Sequence, residues 1–142
     1  MEDKIQVTID VIVHATEDIT KFFNIFDELF EIKREKFFIQ NLKGHFDNAI
    51  TTIQVKLTKK DAKKFVDNLV SNLTNEQRQE LLQSLEERIH NSAFHLRLNK
   101  QKLILRQLEL REKDPVKVKI FTPIYKKTDS TKIYSTLLKL AN

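Results

Sequence analysis

The stretch Lys4–Ile32, KIQVTIDVIVHATEDITKFFNIFDELFEI, decides the fold, because its hydrophobic period changes midway from two to about 3.6. Ile5, Val7, Ile9, Val11 and Val13 alternate with Gln6, Thr8, Asp10, Ile12 and His14, the pattern of a strand buried on one face. From Ile19 onward Phe22, Phe23, Phe26, Leu29 and Phe30 recur three and four apart, so a helix follows with Thr16 or Asp18 as its N-cap. An amphipathic strand feeding a helix with a phenylalanine stripe lays that helix on the apolar face of a sheet. The stripe is core material rather than a cofactor box.

The same two periods organise the rest of the chain. KREKFFIQ reads as a short strand, and NLKGHFDNAITTIQVKL after it as a loop at Gly44 followed by a strand, which together predict an antiparallel hairpin. Helices are expected behind Thr58, carrying Ala62, Phe65, Val66, Leu69 and Val70, and behind the Thr74–Gln77 capping-box pair, carrying Leu81, Leu82, Leu85 and Ile89. Phe94, Leu96 and Leu98 alternate as a strand, and the parity change between Leu105 and Leu108 calls for a helical turn around Lys100–Leu105. Val116, Val118 and Ile120 form a strand that ends at Pro123. A last helix starts at Asp129 or Ser130 and carries Ile133, Tyr134, Leu137, Leu138 and Ala141. Strands and helices do not alternate regularly, and the strands are amphipathic instead of continuously apolar. The expected fold is α+β in two layers, a mostly antiparallel sheet with helices packed on one face, as one domain over residues 1–142.

Composition excludes several classes. With no cysteine there are no disulfides or thiolate ligands, and no stretch approaches the 18 apolar residues of a membrane span, so a soluble cytoplasmic protein is expected. Single glycine usage, at Gly44, against an average of about 7 %, rules out a P-loop and a glycine-flanked serine elbow. His14, His45, His90 and His95 lie in separate elements without zinc spacing, so no metal and no cofactor is expected. His45 beside Lys43 and Asp47 is the one arrangement suited to acid and base chemistry, and the expectation remains a protein that is not an enzyme.

Twenty-five basic against 20 acidic residues give a net charge of +5, which favours a polyanionic partner. The sheet face opposite the helices would show Gln6, Thr8, Asp10, Thr52, Gln54, Lys56, His95, Arg97, Lys117 and Lys119, a polar and mainly basic set that suits a phosphate backbone. Base stacking on that face would come from Phe46, Phe121 or one of Phe37 and Phe38.

Three stretches, VHATED at Val13–Asp18, GHFDNAI at Gly44–Ile50 and LRLNKQ at Leu96–Gln101, together resemble the archaeal RNA-binding proteins described as predicted exosome subunits. That family typically reads GHYGNPI and LRLDKQ at the last two. The resemblance implies a fold like the ribosomal protein that binds 5S RNA, with RNA and RNA-processing proteins as partners. His14, Gly44, His45, Asn48, Arg97, Lys100 and Gln101 match its motifs, and with Lys43, Lys117 and Lys119 they are the expected RNA-binding residues. Arg97 and Lys100 should converge on the open side beyond Asn99 and grip adjacent phosphates; the alternative is that they pair with acidic neighbours at the surface, contributing at most about 1 kcal/mol each to stability. An adaptor role in an RNA-processing complex is the alternative, and an uncovered sheet edge would also suit a homodimer.

Overall fold

The computed structural model of the chain describes residues 4–43, 49–124, 126 and 129–139; the expected loop residues Gly44, His45, Phe46, Asp47 and Asn48, and Ala141, lie outside the described residues. Alternation makes strand β1 of Gln6–His14, with Val7, Ile9, Val11 and Val13 buried and Ile12 and His14 exposed. Asp18, rather than Thr16, caps helix α1 (Ile19–Phe30), its carboxylate accepting the Thr20 N–H at 2.9 Å. The apolar stripe of α1 buries Phe22, Phe23, Ile25, Phe26 and Phe30. Phe37 joins that cluster, its ring 5.4 Å from Phe23 and 5.2 Å from Phe26, beyond a single 3-10 turn at Arg34–Lys36.

Strands β2 (Phe38–Lys43) and β3 (Ala49–Thr58) form the expected antiparallel hairpin, with Phe38 opposite Gln54 and Lys43 opposite Ala49. Helix α2 (Lys59–Asn72) buries all five of its predicted residues, and α3 (Asn75–Gln83) opens on the full Thr74–Gln77 capping box. The helix expected to continue through Ile89 does not. It breaks at Ser84, resumes as α4 (Leu85–Arg88), and gives way to strand β4 (Ile89–His90), which pairs antiparallel with β5 (Ala93–Leu98). Asn91 and Ser92 turn that hairpin at φ 52° and 66°, the left-handed pair that matches the twist of two-residue loops. Helical spacing of Leu81, Leu85 and Ile89 hid the switch.

The expected turn after β5 is helix α5 (Lys100–Ile104), capped by Asn99, whose side chain accepts the Lys102 N–H at 3.1 Å. Strand β6 (Val116–Phe121) and helix α6 (Ser130–Lys139) complete the series. Among the described residues, six strands form one sheet in the order β2-β3-β1-β6-β5-β4, and the class is α+β as the sequence predicts. No helix among these residues is long and apolar enough to cross a membrane.

Contacts divide the chain into two compact units, one of Thr8–Lys56 with Arg97–Val118, the other of Met1–Val7, Leu57–Leu96 and Lys119–Asn142. In the first unit α1 packs against α5 around the phenylalanine cluster. In the second, α6 packs against α2, α3 and α4, and Tyr134 stacks on Phe94 with ring centroids 5.8 Å apart. The Tyr134 hydroxyl donates to the Ser92 carbonyl at 2.6 Å and accepts the Thr122 N–H at 3.3 Å, anchoring the β4–β5 turn from the last helix.

Burial pushes the Tyr134 pKa above its ordinary 10.0, only partly offset by the hydrogen bond from Thr122. The folded state therefore favours the neutral phenol. Its contribution is fully present below about pH 10 and is lost as pH rises beyond that. Tyr134→Phe is expected to cost about 1–2 kcal/mol at neutral pH and to show a shallower alkaline loss than the wild type, both read by urea unfolding across pH.

Candidate nucleic-acid interface

The first unit presents an open sheet face built by the polar parity of its strands. On β3, Thr52 and Gln54 alternate with buried Ile53 and Val55, and on β1, Asp10 and Ile12 alternate with buried Val11 and Val13. Gln54 Nε2 donates to Asp10 Oδ1 at 2.6 Å, and Phe38 stands directly opposite Gln54, so the three make a row across β2, β3 and β1. Phe38 is 65 % exposed, whereas Phe37 is buried and Phe121 half-buried. A cavity of about 580 Å³ opens beside this row, lined among others by Asp10, Ile12, Thr52, Arg97, Asp114 and Lys117.

Arg97 reaches the face because β5 alternates it with buried Leu96 and Leu98. The segment before β6 then runs back alongside: the Asn99 N–H donates to the Glu109 carbonyl at 2.8 Å and the Arg111 N–H to the Arg97 carbonyl at 3.1 Å. That pairing sets Glu112 next to Arg97, whose Nη1 lies 2.9 Å from Glu112 Oε2 in an exposed ion pair. Lys117 is exposed between buried Val116 and Val118 and makes no ion pair among the described residues. Lys119 repeats the pattern further along β6.

Lys100 departs from its expected place on the open side. Its side chain is 3 % exposed, and its ammonium donates to the Ile12 carbonyl, to Glu17 Oε1 at 3.0 Å and to Asp114 Oδ1 at 3.0 Å. An ammonium has three donors, and all three are used. The turn at Asn99 starts a helix instead of an open loop, and the first helical residue points inward, beneath β1. Gln101 Nε2 donates to Glu17 Oε2 at 3.2 Å, the His14 N–H to Glu17 Oε1 at 2.9 Å, and His14 Nε2 lies 3.2 Å from both Asp114 oxygens. The motif residues His14, Lys100 and Gln101 are thus brought together, in one network that holds a lysine.

His14, Glu17 and Asp114 offer metal-type ligand atoms within 4.8 Å of one another. The Lys100 ammonium stands 3.0 Å from two of them, so the cluster is the seat of a cation that the chain itself supplies. Asp114 adopts φ 47° immediately before Pro115, a left-handed conformation that costs a non-glycine residue roughly 1–2 kcal/mol. Burial alone would raise its carboxyl pKa, but hydrogen bonds from Lys100 and His14 outweigh it and hold the group below its ordinary 3.8.

Lys43 also differs from expectation. The hairpin register puts Phe38 on the side of Gln54 and therefore Lys43, with Asn41, on the side of Ile53 and Thr51, away from the open face. Its expected neighbours Gly44, His45 and Asn48 lie outside the described residues. His90 and His95, separate in sequence, come together across the β4–β5 hairpin with rings 5.5 Å apart. Glu17, Glu112 and Asp114 carry no sequence signal as site residues beyond the nearness of Glu17 to His14 and the Asp-Pro turn dipeptide.

A family model described as RNA binding matches residues 6–122. RNA-binding protein PAB1135 of Pyrococcus abyssi is 31% identical over 126 residues, 81% of this chain and 82% of that protein. Uncharacterized protein MJ0213 of Methanocaldococcus jannaschii is 27% identical over 128 residues, 82% of this chain and 86% of that one. Among solved structures, protein AF2318 from Archaeglobus fulgidus is similar at a TM-score of 0.79 with 33% identity, covering 93% of this chain and 97% of that chain. Protein SSO0741 from Sulfolobus solfataricus shares the fold at a TM-score of 0.77 and 24% identity, covering 93% of this chain and 96% of that one.

The buried network and the exposed pair should separate cleanly on mutation. Lys100→Met leaves the half-buried Glu17 carboxylate without its cation and is expected to cost about 2–4 kcal/mol, while Arg97→Ala costs less than about 1 kcal/mol. Because the folded pKa of Asp114 is lowered, its contribution is present above about pH 4 and lost as pH falls. Urea midpoints between pH 7 and pH 3 should therefore drop less steeply in Asp114→Asn than in the wild type.

Proposed function

The chain belongs to the RNA-binding family, and from that premise we propose that it is a non-catalytic RNA-binding protein that holds RNA on the open face of the unit Thr8–Lys56 with Arg97–Val118. The observation that carries this reading is the exposed polar face with Lys117 and Arg97 among the residues lining its cavity. Among the described residues Lys117 has no ion pair to give up. Arg97 exchanges Glu112 for a phosphate at little cost, since an exposed ion pair is worth under about 1 kcal/mol, and its planar fork suits phosphate oxygens. Lys100 acts as a positioning residue, keeping the end of β5 and the turn before β6 in place, and His14 and Gln101 act with it. Gly44, His45 and Asn48 are assigned to RNA contact by their motif, whereas the hairpin register turns Lys43 away from the open face. The reading includes association with RNA-processing proteins, the exosome among them, in the cytoplasm.

A second reading, an adaptor for another protein chain, draws on β2. This strand ends the sheet, all six of its residues are exposed, and Phe38, Ile39 and Leu42 are the apolar ones among them. Such an edge can accept an added strand from a partner or a second copy.

Titrating fluorescent single-stranded RNA at several salt concentrations tests the two. Contact with about four phosphates gives a log-log salt slope near −2.8, from roughly −0.7 per phosphate, and Arg97→Ala with Lys117→Ala should flatten it by about 1.4. The RNA should remain uncut, and cleavage that disappears in His45→Ala would overturn the non-catalytic assignment. Weak, salt-insensitive RNA binding beside tight capture of a protein partner would establish the adaptor instead.

A further inference from the structure

The open-face cavity is a poor seat for a phosphate. Asp10 and Asp114 line it together with Arg97 and Lys117, and Glu112 already stands on Arg97. Carboxylates repel a phosphate backbone but accept the N–H groups of a base edge. Two of the three acids are engaged: Asp114 with Lys100 and His14, Glu112 with Arg97. Asp10 differs. Gln54 holds its Oδ1 at 2.6 Å and thereby orients the carboxylate, while Oδ2 accepts no hydrogen bond among the described residues.

We propose that this cavity receives an unpaired guanine of single-stranded RNA, with Asp10 accepting from the guanine N1–H and N2–H groups and the adjacent base stacking on Phe38. Guanine is the one standard RNA base with two adjacent donors on its Watson–Crick edge, the arrangement a carboxylate matches bidentately. Oδ1 retains a lone pair for this after the bond from Gln54. A cavity of about 580 Å³ is of nucleoside size. Phe38 lies two strands from Asp10 in the same row, about 10 Å at the usual strand spacing, and its exposed ring offers a face to the next base. Arg97 and Lys117, which line the same cavity, then hold the flanking phosphates. A duplex is excluded because pairing occupies the edge that Asp10 reads.

The inference rests on the RNA-binding reading above and is tested separately from it. Fluorescence anisotropy would compare oligouridylates carrying one central guanosine, inosine or adenosine, and the guanosine strand annealed to its complement. Expected is a preference for guanosine over adenosine of roughly 5- to 150-fold, an intermediate value for inosine, which lacks the N2 amino group, and weaker binding of the duplex. Asp10→Asn should remove the preference while binding plain oligouridylate at least as tightly as the wild type, since it takes a negative charge off the face. Phe38→Ala should weaken every single strand roughly 5-fold or more, with Phe38→Tyr restoring it. Equal affinity for guanosine and adenosine in the wild type, equal affinity for inosine and guanosine, or a preference that survives Asp10→Asn overturns the guanine site. Phe38→Ala binding like the wild type overturns the stacking platform. Binding of every strand with a normal salt slope but no base preference removes this inference alone, whereas no salt-dependent binding of any strand removes the RNA-binding reading with it.

Discussion

One buried ammonium organises one end of the first unit. Lys100 sits at 3 % exposure, where an unpaired charge would cost several kcal/mol, and it is tolerated because a carbonyl and two carboxylates take its three donors. Those partners come from the end of β1, the turn into α1 and the turn into β6. Each is secured in turn, Glu17 by the His14 N–H and by Gln101, Asp114 by His14. Moving any of these segments would strand a buried charge. This constraint fixes where β5 ends, and hence Arg97, and where β6 begins, and hence Lys117. Two cations that line the open-face cavity are placed by it.

Scarcity of glycine adds a second constraint. The left-handed positions among the described residues fall to Glu31, Lys59, Asn91, Ser92, Arg106 and Asp114, each at positive φ without glycine's freedom. Asn91 and Ser92 belong to a turn that demands this, and Glu31 ends α1 with its N–H bonded back to the Asp27 and Phe26 carbonyls. Asp114 is the costly case, left-handed and followed by proline, a sequence in which helical-type conformations are disfavoured. Its carboxylate contacts with Lys100 and His14 supply the compensation. The strained turn and the buried lysine therefore stabilise each other, and polar pairing does here what glycine does in most chains.

The open face combines two chemistries. Its cations are suited to a backbone, whereas the oriented Asp10 carboxylate and the exposed Phe38 ring are suited to bases. A uniformly basic face would bind any polyanion. An acid placed among cations disfavours phosphate at that one point and admits donor groups instead, which is how an electrostatic surface acquires selectivity.

The sequence by itself determined the strands, most helices and the α+β class, because hydrophobic period two or 3.6 is a local consequence of which faces are buried. Strand parity also placed Arg97, Lys117, Thr52 and Gln54 correctly on the polar face, and the capping box at Thr74 and the turn at Lys100–Leu105 were legible from local chemistry. It did not reveal β4, whose two residues are too few to interrupt a helical pattern. It did not reveal the inward turn of Lys100, because a lysine looks solvated until its partners are known, and Glu17 is 83 positions away in the chain. Nor did it orient Lys43, since the face a hairpin residue occupies depends on which partner it opposes. Tertiary structure alone decided those points: the environment of a charge is set by residues distant in sequence, and desolvation makes that environment, not the residue type, determine whether a cation meets a ligand or holds the fold.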